Sequence, residues 1–231
     1  MGVRETAAGH SFPIGATLVD GGVNFCVYAK HATGVEMLLF DRADDGQSVQ
    51  AIVLDPDRNR TYDYWHVFVA GVGAGQLYGY RVDGPNQPAT GLRYDREKLL
   101  VDPYALAVAN TEKYDRAKAA AHGDNAATAM KSVVVDPTAY DWQGDEPLRR
   151  PFFDSVIYEM HVRGFTRNPN SGVDSQKRGT YAGLIEKIPY LVDLGIKTVE
   201  LMPVQQFDPY AAPNGTNYWG YQSVAWFAPH R

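Results

Sequence analysis

A single cysteine, Cys26, is present. No intrachain disulfide can form, and no pair of thiolates exists for a cysteine-based zinc centre, so neither staples nor a structural metal are expected to hold the fold. No cofactor or metal ion is expected either, and a reducing, cytoplasmic setting fits the cysteine usage best. Positive charge is also scarce. There are 22 Lys and Arg against 27 Asp and Glu, a formal charge of −5, and no Lys/Arg cluster that could serve as an electrostatic footprint for nucleic acid. No apolar run approaches the roughly 20 residues needed to cross a bilayer, so no membrane partner is expected. The first residues, Met1 to Thr6, lack the apolar core of a secretory signal. They match the loose myristoylation pattern, which nothing else in the chain supports.

What is present is ample material for a core: 45% of the 231 residues are hydrophobic and 12% aromatic, which rules out disorder as a description of the whole. The length fits one large domain or two small ones. From Gly15 to about Arg81 the pattern is that of β-structure. Val23–Tyr28 and Trp65–Val69 alternate with period two, and Val35–Phe40 is a mostly apolar run. Asp20-Gly21-Gly22, Asp44-Asp45-Gly46 and Gly71–Gly75 separate these runs as turns. Short strands at this spacing predict an immunoglobulin-like antiparallel β-sandwich over residues 10–110. The glycines at 71–75 lead into another β-like run, Leu77–Arg81, and not into the helix that a phosphate-cradling loop requires.

Residues 111–150, rich in Pro, Gly, Asp and Asn, read as a connector, with a short helix possible in the Ala-rich piece Tyr114–Ala121. After Arg150 the periodicity changes. Ser155–Val162 reads as a strand, Thr180–Leu194 as a helix and Thr198–Met202 as a second strand. Tyr181, Leu184, Ile185, Ile188, Leu191 and Val192 line one helical face. Thr180 is the expected N-cap and Gly195 the expected exit, while Pro189 should bend the helix or remove one backbone bond. A strand, helix, strand order predicts parallel pairing.

Four stretches carry a family resemblance: Val156–Thr166, Arg178–Leu184, Val199–Val204 and Asn217–Tyr221. Together they resemble the start of the catalytic barrel of glycogen debranching enzymes, the isoamylase-like members of glycoside hydrolase family 13. Upstream, Tyr78–Pro85 and Lys98–Tyr104 resemble the family 48 carbohydrate-binding module that precedes that barrel. The resemblance implies that residues 151–231 are the truncated start of a (β/α)8 TIM barrel, a fold that takes about 250 residues. It also implies that the nucleophilic Asp, the acid/base Glu and a third Asp lie on later strands, beyond Arg231. No catalytic residue is therefore assigned within this chain.

The resemblance places Tyr221, in Trp219-Gly220-Tyr221, beneath the sugar at the cleavage subsite, with Trp219 as a second, weaker substrate-binding candidate; loop anchoring is the alternative reading for both Trp219 and Tyr218. An aromatic face can cover the C–H face of a glucose ring and leave the hydroxyls free for polar neighbours. Glu159 and His161 share parity on the first strand, which suggests either acid/base work or, more in keeping with barrels, a hydrogen-bonded pair filling the lumen. Glu200 has the same structural reading. Trp65 with Tyr62, Tyr64, Tyr78 and Tyr80 could form a sugar-stacking platform, although the alternation of Trp65, Val67 and Val69 points Trp65 inward. Asn214-Gly215-Thr216 matches a glycosylation sequon, silent without a secretory signal.

Two functions follow as expectations. One is the N-terminal segment of a hydrolase that cleaves α-1,6 branch points of glycogen or starch-like glucans, inactive alone. The other is a stand-alone α-glucan-binding module with a vestigial barrel start. Both take a branched α-glucan such as glycogen or amylopectin as partner.

Overall fold

The computed structural model describes residues 2–230; Met1, which opens the myristoylation-like pattern, and Arg231 lie outside them. The first part contains β1 (Thr6–Ala7), β2 (Gly15–Val19), β3 (Gly22–Tyr28), β4 (Gly34–Phe40), β5 (Gln50–Val53), β6 (Arg60–Thr61), β7 (Tyr64–Ala70) and β8 (Leu77–Asp83). A small hairpin of β9 (Asn86–Gln87) and β10 (Leu92–Arg93) follows. Then come β11 (Val108–Ala109), α1 (Arg116–Ala120) and β12 (Lys131–Val133). One sheet runs β1-β7-β3-β2 with β6 also on β7, the other β11-β12-β8-β4-β5. All these pairings are antiparallel. The glycines at 71–75 form the turn between β7 and β8, with no helix there. Within the stretch read as connector, Lys131–Val133 is a strand: Ser132 pairs with Tyr78, so the second sheet draws on residues well beyond 110.

Period-two alternation builds the core between the sheets. Val23, Phe25 and Val27 of β3 with Trp65, Val67 and Val69 of β7 face Met37 and Leu39 of β4 and Tyr78 and Tyr80 of β8. Each such side chain contributes roughly 1.5–3 kcal/mol relative to exposure. Trp65 points inward as expected. Tyr78 and Tyr80 are buried with it, so the five-ring sugar platform does not exist. Of those rings Tyr62 is exposed, and Tyr64 lies half-buried and edge-on to Tyr28 at 5.3 Å.

The outer faces are covered too. Asn24 accepts from the His10 amide at 2.7 Å and donates to its carbonyl at 3.0 Å, and Cys26 Sγ donates to the Ser11 carbonyl at 3.3 Å. The segment before β2 thus shields β3, and burial pushes the Cys26 thiol up to about 11. On the second sheet, Leu38 and Phe40 pack under Leu99, Ala126 and Ala129. Lys131 is fully buried there. Its Nζ donates to the Ala43 and Ala126 carbonyls, both at 2.7 Å, and sits 4.7 Å from the Phe40 ring centroid. Asp102 is fully buried as well, accepting from the Tyr78 hydroxyl and the Tyr104 amide, each at 2.8 Å. Burial outweighs these bonds and pushes its carboxyl up to about 6.

The second part holds β13 (Ile157–Met160), α2 (Val162–Arg167), α3 (Tyr181–Ile185), α4 (Ile188–Asp193) and β14 (Thr198–Leu201), then β15 (Gln205–Phe207) and β16 (Ser223–Pro229). β13 and β14 are parallel, with Glu159 opposite Glu200. Two expectations need correction. The first strand ends at Met160, because His161 caps α2: its Nδ1 accepts from the Gly164 amide at 3.0 Å. Glu159 and His161 therefore do not share a strand, and His161 spends that nitrogen on the backbone and not on Glu159. The single helix over Thr180–Leu194 is two helices. Pro189 lacks an amide hydrogen and its ring crowds the carbonyl four residues back, so the chain breaks at Lys187 and restarts with Pro189 in the first turn. Thr180 Oγ1 does accept from the Gly183 amide at 3.3 Å, and Gly195 exits α4 at φ +85.

Of the apolar helical face, Leu191 is buried, while Ile185, Ile188 and Val192 are exposed. Two strands offer too little surface to cover it. What docks on the sandwich is β16: Ala225 and Ala228 pack with Ala105, Val108 and Met130, and Phe227 stacks on Tyr104 at 5.2 Å.

Candidate functional site: an aromatic loop at the ends of two parallel strands

Parallel strands direct their carboxyl ends to one side, where open α/β sheets and barrels bind ligands. Here β13 ends at Met160 and β14 at Leu201, and the next residues of both meet the loop between β15 and β16. His161 stacks on Tyr218 with centroids 4.6 Å apart and lies edge-on to Trp219 at 5.9 Å; Tyr218 and Trp219 are edge-on at 5.1 Å. Gly220, at φ +80, lies where a Cβ would meet the Pro203 carbonyl at 3.0 Å, so the loop presses against the chain leaving β14.

Asn217 braces the loop. Its Nδ2 donates to the Asp208 carbonyl at 3.1 Å and the Tyr221 carbonyl at 2.5 Å, and its Oδ1 accepts from the Gly220 amide at 3.1 Å. Trp219 and Tyr221 keep 53% and 55% of their surface exposed. Two rings held by backbone bonds yet open to solvent can stack on an apolar ligand face without losing much conformational freedom on binding.

Of the residues expected at the site, Trp219 joins the aromatic cluster and Tyr221 stands beside it, tied only through its backbone carbonyl. Tyr218 packs face-on against His161. Glu159 and Glu200 are exposed and adjacent across the strands. Sequence reasoning missed two contributors. The strand pattern extends over His161, which is instead the ring under Tyr218; Asn217 opens the loop motif, whose pattern names no role for it, and is the brace. An Asn two residues before Trp-Gly was the available signal for the second.

Among the described residues one group has metal-ligating geometry, Asp95, Glu97 and His122. Its atoms are already engaged: His122 Nδ1 lies 2.7 Å from Asp95 Oδ2, which also accepts from the Gly123 amide at 3.3 Å. No helix among the described residues is long and apolar enough to cross a membrane.

Fold and loop together define a class, a two-sheet antiparallel β-sandwich leading into a parallel β/α segment with aromatic rings at its strand ends. Residues 13–105 match the family described as carbohydrate-binding module 48 (isoamylase N-terminal domain). Along nearly its whole length the chain is similar to isoamylases and glycogen debranching enzymes. It is 41% identical over 234 residues to isoamylase 1, chloroplastic, of Oryza sativa subsp. japonica, covering 99% of this chain and 28% of the relative. It is 42% identical over 240 residues to the glycogen debranching enzyme of Klebsiella pneumoniae, covering 98% and 35%. The chain thus spans about a third of the length of these relatives. Among solved structures, a pullulanase from Bacillus acidopullulyticus superposes with a TM-score of 0.70 at 27% identity, covering 94% of this chain and 25% of that one. The multi-modular glycogen-degrading pneumococcal virulence factor SpuA shares the fold, with a TM-score of 0.71 at 22% identity, covering 97% and 24%.

Proposed function

We propose that this chain is the N-terminal segment of a cytoplasmic glycoside hydrolase that cleaves α-1,6 branch points of glycogen or starch-like glucans. In this reading residues 10–110 form a carbohydrate-binding module, to which β12 adds a strand, and residues 111–150 connect it to a barrel begun by 151–231. The observation that carries it is the aromatic loop held at the carboxyl ends of two parallel strands. Similarity to isoamylases and glycogen debranching enzymes supports the substrate class.

Hydrolysis of a glycosidic bond needs two carboxyl groups flanking it, one to protonate the leaving oxygen and one to act as nucleophile or base. The chain's own contribution is different. Trp219 and Tyr221 stack on sugar rings and fix the glucan's orientation, while His161 and Asn217 hold the loop that presents them. No residue of this chain is assigned either carboxyl role in this reading.

The test is electrophoresis of the purified chain through a gel containing amylopectin, paired with a reducing-end assay between pH 4 and 9. Retardation that weakens on Trp219→Ala and Tyr221→Ala, with no reducing ends released, is the expected result. Retardation indifferent to both substitutions would favour a stand-alone module that binds glucan on its sandwich.

A further inference from the structure

We infer that Arg116, on the helix between β11 and β12, is a positioning residue for the aromatic loop more than 90 residues later; the inference rests on the sugar-binding reading of that loop. Arg116 opens α1, whose N-cap Asp115 accepts from the Lys118 amide at 3.0 Å. Its Nη1 pairs with Asp208 Oδ2. Asp208 is 4% exposed, and its other carboxylate oxygen accepts from the Tyr210 amide at 2.9 Å. The Asp208 carbonyl receives Asn217 Nδ2, which also holds the Tyr221 carbonyl. Three side chains therefore link the connector's helix to the sugar-facing ring: Arg116, Asp208 and Asn217.

The electrostatics make the link directional. A buried carboxylate whose cation is removed keeps the cost of desolvation without the compensating attraction, so it turns toward water. That turn pulls on the Asp208 backbone, to which Asn217 is bonded. Arg116 itself is about half exposed, in an open groove of about 450 Å³ that Lys113, Tyr114 and Tyr210 also line. Its removal therefore takes little packing from the sandwich, and the damage is confined to what Asp208 holds.

The experiment uses the full 231-residue chain. Arg116→Met, Arg116→Lys and Arg116→Met combined with Tyr221→Ala are compared for maltoheptaose affinity and for the Trp219 indole N–H resonance without sugar, assigned with Trp219→Phe. Arg116→Met should weaken binding by about fivefold, the scale of a partly exposed ion pair to a buried group. It should also move the Trp219 resonance in the sugar-free chain, Arg116→Lys should recover most of both, and in the Tyr221→Ala background Arg116→Met should add little. An unmoved Trp219 resonance, or an equal loss of affinity in both backgrounds, overturns the inference. If Tyr221→Ala and Trp219→Ala leave affinity intact, the sugar-binding reading of the loop fails, and the sugar-free resonance alone decides whether Arg116 positions it.

Discussion

His161 and Tyr218 stack with ring centroids 4.6 Å apart at an interplanar angle of 27°, joining the residue that follows β13 to the loop that precedes β16. The first ring is fixed by capping α2, so the second is fixed by a residue 57 positions earlier that has no part in its own hairpin. Gly164 leaves room for this contact, since a Cβ there would lie 2.8 Å from Tyr218 Oη.

Gly164→Ala should therefore displace Tyr218 while leaving α2 intact, because alanine is the better helix former by about 1 kcal/mol. Near-ultraviolet circular dichroism should lose part of the aromatic signal while far-ultraviolet spectra stay unchanged. An unchanged aromatic signal would contradict the packing described.

Asp102 sets a pH dependence. Its carboxyl sits at about 6 in the folded chain against an ordinary value of 3.8, so between those values the folded state holds a proton that the unfolded state has released. Its contribution to stability is full below pH 3.8 and is lost as pH rises to 6, by up to about 3 kcal/mol. Asp102→Asn should flatten that part of the curve of urea-unfolding free energy between pH 4 and 7. A slope identical in both proteins would contradict the assignment.

Cys26 should be inert to a thiol reagent such as DTNB in native buffer and react promptly in urea, since it is buried and its thiolate is suppressed by that burial. Prompt labelling without loss of structure would show that residues 8–11 do not shield β3.

Amide exchange should divide the molecule. β3 lies between β2 and β7 with both faces covered, whereas β14 has one partner strand and four exposed residues. Amides of Val199–Leu201 should exchange well before those of Phe25–Val27. Equal protection would mean that the parallel pair is stabilised by more than the contacts seen.

Much of this architecture was legible in the chain because period-two alternation and apolar burial agree: Val23, Phe25, Trp65 and Val67 face inward where the pattern says they should. The parallel pairing of β13 and β14 followed from strand, helix, strand order. Where local and nonlocal forces compete, the pattern misled. Val162 has strand propensity but enters a helix because His161 caps it, and the apolar periodicity across Pro189 concealed a break that the missing amide enforces. Trp219 and Tyr221 were recognisable from the loop motif, whereas His161 beneath Tyr218 and Arg116 opposite Asp208 are contacts between residues far apart in sequence, which no spacing encodes.

The most direct test of the central claim is an amide and indole NMR titration of the chain with a branched maltooligosaccharide. The account predicts that the largest shifts fall on Asn217–Tyr221 and the Trp219 indole, with lesser ones at His161. Shifts confined to sandwich residues such as Tyr28, Tyr62 and Tyr64, with the loop unmoved, would contradict it.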